Sequence, residues 1–316
     1  MSRKKIIRKA EKVFHVVQYS GGAGSCASAL RVRDRYGTEG LELLFADTLI
    51  EDQDLYRFLI ESAAKVFEVE VPTDLTARAL ALPEPSEDPE VEVDRRRELT
   101  EIRKLSQDAV PGLVWISEGR DLWEIFHDRR FLGNARIDPC SNDLKRSFLR
   151  SWMEEHHVPR NTTAYIGIDW TEEHRFKRAR ELWKPWVVEA PLCEPPLIAK
   201  TAVLEQLREL GIRVPRLYEM GFPHNNCGGF CVKAGMKHFK HLAQNLPERY
   251  AYHERREQEL RSYLDKDIGI MRDRRREAMD ANEGKAPPVT MENLRLRLIE
   301  GGEIDEFDWG GCGCAI

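Results

Sequence analysis

Hydrophobic positions in the first half of the chain fall into two rhythms. Val13 to Tyr19 (VFHVVQY) is a β-branched and aromatic run that reads as a buried strand. Ser25 to Tyr36 continues it as a helix. LELLFADT (41–48) reads as a second strand, and Glu51 and Asp52 then open a helix with Leu55, Phe58, Leu59 and Ala63 on one face. VFEVEVP (66–72) alternates as a third strand would. LVWIS (113–117) and TAYIGIDW (163–170) are further strands, separated by the helical patterns DLWEIFHD (121–128) and LKRSFLRSWMEEH (144–156), and the helix EEHRFKRARELW follows. Strands alternating with helices predict an α/β protein with a doubly wound, mostly parallel sheet.

Two stretches break the alternation. Residues 73–112 contain the Pro- and acid-rich PEPSEDPEVE and then a charged run, which together read as an insertion or flap beside the core. From about residue 200 the pattern is mostly helical (TAVLEQLREL, CVKAGMKHFKHLAQN, PERYAYHERREQELRSYL), with ANEGKAPP (281–288) as a turn-rich linker. The expected division is an α/β domain over 1–195 and a helical, cysteine-bearing region over 196–316. No internal repeat is present.

Composition narrows the class. The chain has 316 residues, 49 Lys plus Arg against 54 Asp plus Glu, and a formal net charge of −5. It carries 41% hydrophobic and 9% aromatic residues, too many for a disordered chain. The absence of an apolar run of about 18 residues excludes a membrane-spanning helix, and the basic start MSRKKIIRKAEKVF lacks the apolar core of a secretory signal. Seven cysteines, an odd number, argue against a disulfide scaffold and for reduced thiols in a cytoplasmic setting. Basic runs at the start, at 94–104 and at 271–279 read first as solvated helix faces. A groove for a phosphate-rich polymer is the second reading. Trp and Tyr residues near the C-terminus are candidates for a homo-oligomer surface.

The segment QYSGGAGSCASAL carries the first candidate site. It lies between a strand and a helix, and its glycines let the backbone approach an anion closely while the helix dipole favours negative charge. In an α/β sheet such a turn sits at the carboxyl end of the first strand, where ligands bind. Ser20 and Ser25 add hydroxyl donors. A tight connection without a ligand is the plainer alternative.

Ser20-Gly21-Gly22-Ala23-Gly24-Ser25 resembles the PP-loop of the ATP-pyrophosphatase superfamily, which includes the phosphoadenosine phosphosulfate (PAPS) reductases. The familiar form is S-G-G-x-D-S, so Gly24 stands where the family has an acid. The resemblance extends to FADTLIED, with Asp47 and Thr48 at the strand end, and to Cys140-Ser141-Asn142-Asp143-Leu144-Lys145. It covers about residues 14–190. It implies an adenine nucleotide alpha-hydrolase-like, Rossmann-like fold that binds ATP, with Mg²⁺, at residues 20–25. A substrate oxygen would attack the α-phosphate, pyrophosphate would leave, and a sulfur or nitrogen nucleophile would follow. In the reductase branch PAPS takes the ATP place and a thiol attacks its sulfate. Both chemistries need cations at the leaving group. Lys145, Arg146 and Arg175 are candidates. Asp169, Glu172, Glu173 and His174 follow a strand end, where acids would hold Mg²⁺ or orient a substrate. Helix capping by Asp169 or Thr171 is the competing role.

The cysteines are the second candidate site. Cys227-Gly228-Gly229-Phe230-Cys231 is a C-x₃-C pair after His224-Asn225-Asn226, and Cys140 follows Pro139 at a helix start. Three thiolates from two loops suffice for a 4Fe–4S cluster with one open iron, and several sulfur-inserting PP-loop enzymes carry such clusters. Zn²⁺ held with His224, a redox pair, and buried apolar thiols remain as alternatives. Cys312 and Cys314 end the chain in WGGCGCAI, a glycine-rich tail expected to be mobile and suited to delivering sulfur or electrons. Cys26 and Cys193 sit in apolar settings and read as core. GFPHNNCGGFCVKAG and the GGCGC tail also resemble phage and bacterial proteins called PAPS-reductase-like.

These readings imply an ATP-dependent, AMP- and pyrophosphate-forming sulfurtransferase acting on a nucleotide or nucleic acid, with a sulfur donor such as a cysteine desulfurase. Thiol-dependent reduction of PAPS, or a non-catalytic nucleotide-sensing subunit of a phage or defence system, are the alternatives.

Overall fold

The computed structural model describes residues 12–311. Five parallel strands, β1 (Phe14–Gln18), β2 (Leu41–Asp47), β3 (Leu113–Ser117), β4 (Thr162–Tyr165) and β5 (Val187–Glu189), lie in the order β3-β2-β1-β4-β5. β1 is central, with Val16 opposite Glu42 on β2 and Ala164 on β4. The helices of this α/β layer are α1 (Ala23–Tyr36), α2 (Gln53–Phe67), α3 (Thr73–Leu80), α4 (Pro89–Ala109), α5 (Leu122–Arg129), α6 (Pro139–Ser141), α7 (Ser147–His156), α8 (Glu173–Leu182) and α9 (Lys200–Glu209).

The two-residue period of the strands builds both faces. Val17, Leu43 and Phe45 pack with α1, α2, α4 and α9, while Val16, Leu44, Ala46 and Ala164 pack with α7 and α8. The expected doubly wound α/β architecture is thus present. Successive strands run one way from β1 to β3 and the other way from β4 to β5. The switch falls between β1 and β4, and at the carboxyl ends of those strands a crevice opens.

Three local expectations change. Residues 66–72 are not a strand: Val66 continues the buried stripe of α2 after Leu59 and Ala63, and Glu68 closes the helix in a left-handed cap at φ 55°. Alternation over so short a run also fits the end of an amphipathic helix. Residues 73–112 do not stand off as a flap. Asp88 caps α4, accepting from Glu90 N at 2.9 Å, and Leu75, Ala79, Leu99, Ile102 and Val110 join the core. The strand expected over 163–170 ends at Tyr165, and the short β5 went unread.

Beyond α9 come α10 (Arg216–Glu219), α11 (Met236–Asn245), α12 (Pro247–Leu264), α13 (Arg276–Asp280) and α14 (Met291–Ile299), with a small antiparallel ladder of β6 (Met271–Arg272) and β7 (Pro288–Val289). Their apolar cluster is shared across residue 195: Leu122, Trp123, Phe126 and Leu144 pack with Phe230, Phe239, Leu242 and Tyr250. Glu257 of α12 accepts from Ile270 N at 2.9 Å and Met291 N at 2.6 Å, tying the ladder and α14 to the helix. Among the described residues no helix is long and apolar enough to cross a membrane.

Two outcomes follow. Ile102→Ala lowers the unfolding free energy by about 2–5 kcal/mol in urea titration, whereas exposed Val93→Ala changes it by less than about 0.5 kcal/mol. A flap would give two small values. Burial pushes the Glu257 carboxyl from 4.5 up to about 7. The folded state therefore holds a proton that the unfolded chain releases, and stability falls as pH rises from 4.5 toward 7. Urea midpoints at pH 5 and pH 8 should differ less in Glu257→Gln than in the native protein.

Candidate functional site

The glycine-rich turn joins β1 to α1. Gly21 takes φ 71°, a left-handed conformation, and its carbonyl accepts from Asn225 Nδ2 at 3.0 Å. Ser25 Oγ donates to Gly22 O at 2.9 Å, and Ser20 Oγ lies 3.3 Å from Ser25 Oγ. Tyr218 OH receives Ala23 N at 3.2 Å. A Cβ on Gly24 would sit 2.7 Å from Gly167 O, and one on Gly167 would sit 2.5 Å from Ser25 N. The turn after β4 therefore presses backbone to backbone on the start of α1. An acid at position 24 would not fit there.

This turn forms one wall of a cavity of about 510 Å³ at the switch point. Ser20, Gly22, Gly24, Ser25, Lys145, Asp169 and Arg175, all singled out in the sequence, line it together. Gly21, Asp47 and Thr48 do not. Asp169 caps the short turn Trp170–Glu172, accepting from Thr171 N at 2.8 Å, so it combines capping with a place on the wall. Arg175 pairs with Glu172 at 2.5 Å. Arg146 turns instead to Asp138, 3.5 Å away.

Sequence reasoning missed Gln18, Lys200, Tyr218 and Asn225, which also line the cavity. Gln18 Nε2 and Asn225 Oδ1 are buried there with no hydrogen-bond partner among the described residues. Buried polar groups are ordinarily satisfied, so a ligand with its own donor and acceptor is the natural complement. Lys200 donates to Pro223 O and lies 5.0 Å over the Tyr218 ring. With Lys145 and Arg175 it brings three cations to the wall, against Asp169 and Glu172. Only Gln18, directly before the glycine turn, had a positional signal in the sequence.

The chain matches no known protein family, no curated protein and no solved structure.

Beside the large cavity lies a small pocket of about 20 Å³, and Cys140, Cys227 and Cys231 all line it. Lys145 lines both spaces. It belongs to a π-helical turn, Asn142–Arg146, set between α6 and α7, a distortion common at functional sites. Its Nζ lies 3.3 Å from Glu51 Oε1 and 3.9 Å from Cys227 Sγ. Glu51 has no exposed side chain. It also accepts from Thr48 Oγ1 at 3.0 Å and from Cys227 N. Burial pushes its pKa up, opposed by Lys145. Thr48 thus serves the thiol pocket rather than the glycine turn.

Cys227, Gly228 and Gly229 take φ 52°, 59° and 82°, a left-handed run that points the Cys227 amide at Glu51. Arg249 clamps the loop, donating to Gly228 O at 2.5 Å and to Asp52 Oδ2 at 2.8 Å. Leu122, Leu144, Phe230 and Val232 complete the pocket with Asp138 and Lys233, and the buried Ser141 Oγ faces it without a hydrogen-bond partner among the described residues. None of the five described cysteines forms a disulfide. The three thiols line one pocket, and thiolates are the groups that ligate iron–sulfur clusters. Among the described residues no three His, Cys, Asp or Glu are placed to hold a single metal ion. His224 lines the large cavity, stacked on His238, so a zinc set of Cys227, Cys231 and His224 is not assembled.

Asp47 is a buried structural acid. It accepts from Leu49 N at 2.8 Å, Tyr56 OH at 2.9 Å and Trp115 Nε1 at 3.0 Å, and burial pushes its pKa up. Cys26 is core, its thiol pushed up by burial to about 11, and Cys193 is half-buried near Ile168 O. Cys312 and Cys314 lie outside the described residues. The chain just before them, Trp309 to Gly311, lines the large cavity, held by an antiparallel bridge of Gly310 to Ala234 and by Gly311 N to Lys233 O at 3.2 Å.

If the turn cradles ATP, Gly24→Ala should weaken that binding at least about tenfold in calorimetric titration, because the new methyl must displace the Gly167 backbone. Unchanged affinity would show that the turn is not the anion cradle.

Proposed function

We propose that this chain is a PP-loop-type enzyme that activates a substrate with ATP and passes sulfur to it. The observation that carries this reading is Lys145, which lines both the glycine-turn cavity and the thiol pocket. Nucleotide activation and sulfur chemistry would then share one cation. ATP would lie with its phosphates along Ser20–Ser25, at the positive end of α1. The carbonyl oxygen of the substrate attacks the α-phosphorus, and pyrophosphate leaves with the bridging oxygen. Lys145, Lys200 and Arg175 stand where they would offset its charge. Sulfur at the sulfide level then attacks the activated carbon, the C–S bond forms, AMP leaves with the former carbonyl oxygen, and the sulfur proton passes to solvent. Inorganic sulfide is the simplest donor. A persulfide with a thiol reductant is the protein-borne equivalent.

Cys140, Cys227 and Cys231 would hold a 4Fe–4S cluster, which when bound supplies an iron on which sulfide can be held. The chain's own contribution is to keep that region dry and to fix Cys227 through Glu51 and Arg249.

A second reading has a specific observation in its favour. Trp309 to Gly311 bring the chain to the cavity one residue before Cys312. In that reading a thiolate attacks the sulfate sulfur of a sulfonucleotide, the S–O bond to phosphate breaks, and a second thiol releases sulfite as a disulfide forms.

Anaerobically prepared protein, given ATP, sulfide and bulk RNA or DNA, should release AMP and pyrophosphate in equal amounts and contain iron and acid-labile sulfide. Lys145→Met should lower turnover at least about 100-fold, and Cys227→Ser should lose the iron. Sulfite release from PAPS without pyrophosphate would replace this reading with the reductase. ATP binding with neither product would overturn both.

A further inference from the structure

A groove of about 700 Å³ adjoins both spaces: Lys233 lines it and the thiol pocket, and Gly310 lines it and the nucleotide cavity. Its cations are Arg136, Arg272, Arg274 and Lys285, all exposed. None of the four has a carboxylate within ion-pair distance among the described residues. Next door, Arg275 and Arg297 both pair with Asp273, at 2.7 and 2.8 Å. The groove's one acid, Asp308, is engaged by the main chain, its Oδ2 accepting from Met236 N at 3.1 Å. Lys233 reaches Asp138 only at 3.7 Å.

An acidic protein that leaves four cations unpaired along one groove has built a site for repeated negative charge. Phe131, half-buried, and Ile137, 56% exposed, add apolar surface among them. Phosphates spaced along a chain, with flat bases between, match that mixture better than an acidic peptide, which has no use for the ring. A groove of about 700 Å³ suits one strand rather than a duplex. We propose that this groove binds the phosphate backbone of a single-stranded nucleic acid and leads it to the Lys233 edge of the thiol pocket. Why a strand is brought there rests on the sulfur-transfer reading above. Whether it binds does not.

The test uses the full chain and a fluorescein-labelled mixed-sequence 12-mer of single-stranded RNA or DNA, read by anisotropy, with ATP affinity measured on the same preparations. Four phosphate contacts predict an affinity loss of roughly 50-fold between 50 and 200 mM salt. Arg272→Ala/Arg274→Ala should weaken binding at least about tenfold and cut the salt effect to roughly 7-fold. Arg208→Ala, on the exposed face of α9, should change neither, and ATP affinity should stay constant throughout. No oligonucleotide binding, a salt dependence unmoved by the double variant, or equal binding of polyglutamate would overturn the groove while leaving the nucleotide reading in place. Oligonucleotide binding with no ATP binding would support the groove and overturn the nucleotide reading.

Discussion

Two neighbouring carboxylates at the start of α2 organise this protein. Glu51 and Asp52 have no exposed side-chain surface, and a buried charge is tolerable only with partners in good geometry. Every partner that meets this need from outside their own turn comes from far down the chain. Lys145 and the Cys227 amide meet Glu51, while Arg216 and Arg249 meet Asp52, both at 2.8 Å. Burial alone would raise the Asp52 pKa, but the two guanidiniums hold it below the usual carboxylate range. Removing one partner of such a pair typically costs about 3–5 kcal/mol. The sheet end, the π-helical turn and the cysteine loop are therefore fixed to one another by the same two acids.

That arrangement has a chemical consequence. A lysine held between a buried carboxylate and a thiol is placed by the fold rather than by a ligand, so its position is set in advance of any binding. Lys145 lies against Glu51 and still borders the cavity. Preorganised charge of this kind costs little reorganisation when a phosphate leaves. Cys227 is held on three sides, by its amide on Glu51, by Gly228 on Arg249 and by Lys145 at its sulfur. A non-glycine residue in the left-handed region costs about 1–2 kcal/mol. That cost is offset by the buried amide-to-carboxylate bond it permits.

The parallel sheet was legible for β1 to β4 because their apolar runs stand out from the flanking helices, whereas the three-residue β5 was too short to carry a pattern. The assembly of Ser20, Gly22, Gly24 and Ser25 with Asp169 and Arg175 was also legible, since strand ends converge in any doubly wound sheet. The joint pocket of Cys140, Cys227 and Cys231 was legible from loop chemistry. What stayed hidden depends on distant contacts. Nothing local marks Lys200, Tyr218 or Asn225 as cavity residues, because a fold-back of the chain after β5 places them. Asp47 looked like a site acid from its position at a strand end, yet Tyr56 and Trp115 capture it. Residues 73–112 looked like a flap because their apolar positions are spaced among many charges. Arg95, 2% exposed, shows how such charge is buried when Glu92 pairs with it at 2.6 Å.

The departure at position 24 now has a physical basis. Gly24 and Gly167 exclude side chains from each other, so residue 24 offers the cavity only backbone. An acid there would lower the local positive potential and would suit a shared metal ion. Its absence shifts the balance at the turn toward cations and bare amides. Gln18 and Asn225, on opposite sides of the turn, supply polar atoms that are otherwise unsatisfied. A ligand in this cavity would therefore meet amide groups, main-chain N–H and three cations. Such a set would discriminate by shape and hydrogen bonding as much as by charge.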